Sequence, residues 1–223
     1  MTDQLAEDLR GFGPIGILAI LAVFLTGNLI FGNMVALPIG AFIVLLWRWR
    51  SRTPWREIGY VRPHSWTLII VCGLAFGIAL KFLLKAIVMP LLGADPINQS
   101  YHFLAGNRVL LPGAIWTMTM AGPAEETVYR GFAFERLRRL FGPSVLARTS
   151  MVLLTSALFA LSHYSGQGVA GMEQATITGL VFGTIFAITG ALPLIMCAHS
   201  AYDLTALVMI YLDVEAQVAH LVF

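Results

Sequence analysis

The chain has 223 residues, 58% of them hydrophobic and 12% charged, with a formal net charge of +2. A soluble domain carries about 25% charged residues. Half that load, with apolar residues in long blocks, argues against a soluble enzyme and for an all-α, polytopic transmembrane helical bundle. The two cysteines, Cys72 and Cys197, each lie inside an apolar block, which argues against a disulfide framework and against a cysteine zinc site. No basic tract asks for nucleic acid.

The N-terminal MTDQLAEDLR places Asp3, Glu7 and Asp8 where a signal peptide would be basic, so it is not read as one. A membrane span needs roughly 20 mostly apolar residues. Seven candidates follow, at 12–31, 34–47, 65–92, 109–134, 146–164, 174–190 and 192–212. The second is short enough to form a tight hairpin with the first, and an eighth would require the third block to break near Gly77. With no repeat, low-complexity tract or separating linker, the chain reads as one membrane domain. Residues 1–108 hold the N-terminal helices and an arginine-rich linker, and 109–212 hold the helical core with the polar motifs.

Orientation follows from the arginines. One linker carries Arg48, Arg50, Arg52, Arg56 and Arg62, and another carries Arg136, Arg138, Arg139 and Arg148. Both are expected to face the cytoplasm, with the N-terminus inside and the C-terminus outside. GLAFG at 73–77 and GLVFG at 179–183 have the small-xxx-small pattern of close helix packing. Lys81 and Lys85 are expected to snorkel to the headgroups, with a grip on a substrate carboxylate as the alternative.

A charge in mid-span costs about 2.5–3.5 kcal/mol on insertion scales. Such residues persist when paired, when lining water, or when functional. Those inside the candidate spans are Glu125, Glu126 and Arg130, then His163, then His199 and Asp203. Glu126 and Arg130 are four apart and share a helical face, as do Glu125 and Tyr129, Phe159 and His163, and His199 and Asp203. Counted from the arginine end at 1.5 Å per residue, Glu125 lies about 16 Å in, His199 about 9 Å, Asp203 about 15 Å and His163 about 22 Å. They could converge on one cavity. Gly122-Pro123 directly before the carboxylates implies a loosened turn, tolerated at membrane depth where it lines water or is buried in protein. Two carboxylates, two imidazoles and an Asp suit activation of a water that attacks a carbonyl.

EETVYR at 125–130 resembles the E-E-x-x-x-R motif of the CAAX-protease and bacteriocin-processing (CPBP) family, the type II CAAX prenyl endopeptidase group. FALSH at 159–163 resembles its F-x-x-x-H, and HSAYD at 199–203 its H-x-x-x-(Asn or Asp). The resemblance covers roughly residues 110–205, making 109–212 a CPBP-like catalytic core. It implies an intramembrane endopeptidase, of glutamic type or metal-dependent, whose site opens toward the cytoplasm. In it Glu125 is the general base and His163 helps orient the water. Glu126 pairs with Arg130, while His199 and Asp203 serve the oxyanion, with Tyr129 and Phe159 in support. An ionised Asp cannot donate to an oxyanion. Asp203, standing where eukaryotic-like members carry Asn, is therefore either protonated or orients His199, and the latter is preferred. No cofactor is favoured. Zinc on His163, His199 and Glu126 is the alternative.

The implied partners are the bilayer and a hydrophobic or lipidated protein or peptide substrate, and the implied location is a prokaryotic inner membrane. A non-catalytic immunity or scaffolding protein using the same pocket is the competing function. A proton-coupled transporter would be expected to show two related halves, and none is visible.

Overall fold

A computed structural model describes residues 2–29 and 36–222. The end of the first candidate span and the start of the second, with the hairpin between them, fall on residues 30–35 and lie outside the described residues.

The described chain is helical. Helix α1 (Thr2–Arg10) meets α2 (Pro14–Leu29) at 61°, and α2 packs beside α3 (Ala36–Ser51). The first arginine linker folds onto the bundle as a 3-10 turn (Trp55–Ile58) that buries Ile58 completely. Helix α4 (Trp66–Leu83) starts on Ser65, whose Oγ accepts from the Leu68 N–H at 3.2 Å, satisfying one of the orphan donors of a first turn. It runs unbroken through Gly77, then through a π-helical turn (Leu84–Val88) into α5 (Met89–Leu91). Helix α6 (Leu111–Glu126) ends at the second glutamate. A second π-helical turn (Thr127–Phe132) leads to α7 (Ala133–Phe141). Helices α8 (Val145–Thr189), α9 (Pro193–Tyr211) and α10 (Glu215–Ala219) complete the chain.

Helix α8 is a hairpin. Gly168 has φ 65°, outside helical space, and divides it into arms at 145–167 and 169–189. The arms lie side by side, since a Cβ built on Gly179 would stand 3.1 Å from Ser156 Cα and one on Gly183 would stand 3.3 Å from Val152. The small residues of GLVFG therefore seat one arm on the other. GLAFG does the same between α4 and α9, where a Cβ on Gly73 would meet Cys197 Cβ at 2.6 Å and one on Gly77 would meet the Ala198 carbonyl at 2.0 Å.

Three helices among the described residues are long and apolar enough to cross a membrane: Trp66–Leu91, Val145–Thr189 and Pro193–Tyr211. The count rises to four if the bent pair Asp3–Arg10 with Pro14–Thr26 is one span. Seven spans are not confirmed among the described residues: the fifth and sixth candidates are arms of α8, and the fourth changes to π geometry after Glu126.

The lysines do not snorkel. Lys81 and Lys85 are only 7% and 8% exposed. Lys85 Nζ pairs with Glu215 Oε1 at 3.0 Å and donates to the Pro96 carbonyl at 2.6 Å, because α10 folds back onto the end of α4. The arginines do more than set orientation. Arg136 is buried, paired with Glu135, and donates to the Arg10 carbonyl at 2.9 Å, tying α1 to α7.

Candidate active site

Helix α9 lies between α4 and α6, and the Gly-Pro step of α6 sets how closely. Pro123 has no N–H for the carbonyl four residues back, Thr119. Ser200 Oγ of α9 donates to that carbonyl at 2.7 Å. Gly122 leaves the room, as a Cβ there would stand 2.7 Å from Ser200 N. The loosened turn expected at Pro123 is thus a docking point that brings the residue beside Ser200, His199, against the two glutamates.

Those glutamates point to different sides of α6 and do different things. Glu126 is fully buried, and its Oε1 accepts from Arg130 Nη1 at 3.0 Å and from His199 Nδ1 at 2.8 Å. Arg130, also fully buried, reaches the Gly179 carbonyl with Nη2 at 3.1 Å and lies over the Phe159 ring at 4.8 Å. The π-helical turn carries it, a geometry that recurs at functional sites. Glu126 therefore holds the His199 ring from behind, leaving Nε2 facing forward. In front, Nε2 stands 3.5 Å from Glu125 Oε2 and 3.7 Å from Asp203 Oδ2. Orientation of this ring through Nδ1 comes from Glu126, not from Asp203 as the sequence suggests. Asp203 sits on the reactive side.

His163 Nδ1 lies 2.8 Å from the Phe159 carbonyl, four residues back on the same arm. A carbonyl only accepts, so Nδ1 carries the proton, and Nε2 of the neutral ring is an acceptor. Ser162 Oγ lies 3.3 Å from the same Nδ1 and donates to the same carbonyl. Phe159 packs edge-on against His163, Tyr129 and His199, with ring centroids at 4.5, 5.1 and 5.9 Å. Tyr129 is buried with Phe24 and Phe159 behind the site.

Glu125, His163, His199 and Asp203 line one cavity of about 130 Å³, with Phe159 on its wall. Glu126 and Arg130 stand behind it. The lining continues through Lys81 and Gln174 to Asn98, Tyr101 and Gln167, residues the polar-in-span argument passed over. The signal for Gln174 was an amide at the head of an apolar block. Asn98 and Tyr101 lie in a connecting loop, outside the candidate spans. The Tyr101 phenol is held above its ordinary pKa by burial and then by the carboxylates of Asp203 and Glu125, so it stays protonated. Asn98, Tyr101 and Gln167 belong to the bundle end opposite the arginine linkers. An opening toward the arginine end, which the family resemblance implies, is not what this lining describes.

The alternative zinc ligands are His163, His199 and Glu126. Glu126 Oε1 is already engaged by Arg130 and by Nδ1 of His199, on the far side of the ring from the cavity. Among the described residues no three His, Cys, Asp or Glu side chains are spaced to hold a metal ion.

Residues 107–205 match the family model described as Type II CAAX prenyl endopeptidase Rce1-like. No curated protein and no solved structure matches the chain. The match spans all three motifs and ends two residues after Asp203.

Proposed function

We propose, on the premise that the chain belongs through residues 107–205 to the Rce1-like type II CAAX prenyl endopeptidase family, that it is an intramembrane endopeptidase of the glutamic type. Its substrate on this reading is a membrane-associated or lipid-bearing protein or peptide. The family implies a protease. The observation that supports the chemistry is the carboxylate of Glu125 set 3.5 Å from the forward nitrogen of a His199 ring that Glu126 and Arg130 lock from behind.

In this mechanism Glu125 takes a proton from a water in the cavity while His163 Nε2 accepts that water's other hydrogen and aims it. The water oxygen bonds to the substrate carbonyl carbon, and the carbonyl oxygen takes up the negative charge. His199, protonated on both nitrogens with Nδ1–H on Glu126, keeps its Nε2 proton and hydrogen-bonds it to that oxygen until the carbonyl re-forms, a contribution of about 3–4 kcal/mol for one such donor. The proton held by Glu125 passes to the departing amine as the C–N bond breaks, and Glu125 is restored. Asp203, an acceptor only when ionised, supports the His199 edge and does not itself bind the oxyanion.

We place the arginine linkers in the cytoplasm, with each arm of α8 crossing the membrane. This arrangement is supported by which ends meet. Gly59 of the first linker accepts from the Leu192 N–H at 2.8 Å, and Glu57 pairs with Arg139, so these turns share one face. Gly106 donates to the Tyr211 carbonyl at 3.0 Å, and Gln167 reaches Tyr101 at 3.5 Å, so those turns share the other. Substrate then enters from the face opposite the arginines.

The decisive comparison is of membrane peptide fragments from cells making the parent protein or Glu125→Gln. We expect fragments that vanish in the variant, with turnover down by about 10²–10⁴ as for loss of a general base and the melting temperature in detergent unchanged. A variant that keeps the parent's phenotype would instead mark a binding or immunity protein.

A further inference from the structure

Helix α4 and the π-helical turn that follows it place two ammonium groups, Lys81 and Lys85, in the protein interior, and their surroundings differ. Lys85 has a counter-ion in Glu215 at 3.0 Å. Lys81, equally buried at 7% exposure, has no carboxylate within ion-pair distance among the described residues. Among the described residues its one hydrogen bond is to Gln174 Oε1 at 3.0 Å, and that oxygen also accepts from Tyr202 at 2.9 Å. The face of the Tyr202 ring lies 4.8 Å away. An ammonium has three donors, so two of them have no protein acceptor among the described residues. Lys81 lines the same cavity as Glu125 and His199, and Asp203, the other acid of that wall, has its Oδ2 3.7 Å from the His199 ring.

Burying a cation without a counter-ion is costly. A site that keeps one, with spare donors in a cavity, is built for an anion that arrives with the ligand. We propose that Lys81 is the anchor of a carboxylate subsite, holding a carboxylate of the substrate or released peptide while Glu125 and His199 face the scissile bond. This rests on the protease reading for the ligand being a peptide. The carboxylate could be the chain end or an acidic side chain.

The test is binding to the Glu125→Gln protein in detergent micelles, which removes turnover from the readout. Three probes are compared: an acetylated leucine tripeptide with a free C-terminal carboxylate, the same peptide as its C-terminal amide, and an amide carrying one internal aspartate. The acid is expected to bind about tenfold or more tighter than the plain amide, the worth of a hydrogen bond to a charged group. Lys81→Gln should abolish that preference without weakening the amide, and Lys81→Arg should retain it. Internal-aspartate amide binding as tightly as the acid assigns the subsite to a side-chain carboxylate. Binding only as tightly as the plain amide assigns it to the chain end. Equal affinity of acid and amide for the Glu125→Gln protein with Lys81 intact overturns the inference, as does a preference that survives Lys81→Gln. Failure of the wild-type protein to cleave membrane substrates would sink the protease reading and leave this binding result standing.

Discussion

Glu125 and Glu126 are neighbours in sequence and opposites in environment. Glu126 is sealed behind the site by a guanidinium and an imidazole, while Glu125 faces the cavity. Removing them should therefore fail differently. Glu126→Ala leaves Arg130 as an uncompensated buried charge, a loss of about 3–5 kcal/mol. Thermal unfolding in detergent should register it as a markedly lowered midpoint along with lost activity, whereas Glu125→Gln should lose activity alone. Matching stability profiles for the two would contradict this division. Glu126 Oε1 is held by Arg130 and His199. On the proposed glutamic mechanism, cleavage after exhaustive treatment with a zinc chelator should stay within about twofold of untreated protein, because the carboxylate of Glu125 takes the proton directly. Activity that disappears and returns only with one equivalent of zinc would reverse the mechanism.

Helix α9 owes its position to missing side chains. Gly73 and Gly77 of α4 and Gly122 of α6 let its backbone approach from two sides, and the positions of His199 and Asp203 follow from that approach. Gly77→Ala drives a methyl to 2.0 Å from the Ala198 carbonyl, a backbone atom that cannot swing aside. Overpacking of this kind costs about 1–3 kcal/mol, and here it displaces the residue preceding His199. Gly179→Ala, at 3.1 Å from Ser156, should be milder. Activity and melting temperature of the two proteins, measured together, should rank Gly77→Ala as the more damaging on both counts. Equal damage would mean that the α4–α9 contact is not what places the imidazole.

On the scale of the whole bundle, the arginine-bearing turns gather at one end, and the loop with Asn98 and Tyr101 meets the α8 bend at the other. The cavity runs toward the second end. If the arginine end is cytoplasmic, a membrane-impermeant maleimide applied to intact spheroplasts should label Gln99→Cys and should reach Pro143→Cys only after permeabilisation, with Cys72 and Cys197 replaced beforehand. The reverse pattern would turn the molecule over and give substrate a cytoplasmic route. Labelling of both from outside would break the alternating arrangement of crossings.

Much of this was legible in the chain before folding. Apolar blocks in water have nowhere to go but a bilayer or a core, so helical membrane character follows from composition. Charges inside such blocks are expensive enough that Glu125, Glu126, Arg130, His163, His199 and Asp203 mark themselves, and helical spacing alone brings Arg130 to Glu126. Other features depend on contacts between segments far apart along the chain. Examples are the grip of Glu126 on His199, 73 residues away, the folding of α8 on Gly168, and the burial of Lys81 and Lys85 where snorkelling was expected. Periodicity reports which face of a helix is polar. Which neighbour meets that face, and at which end the cavity opens, is decided by how closely the backbones can approach.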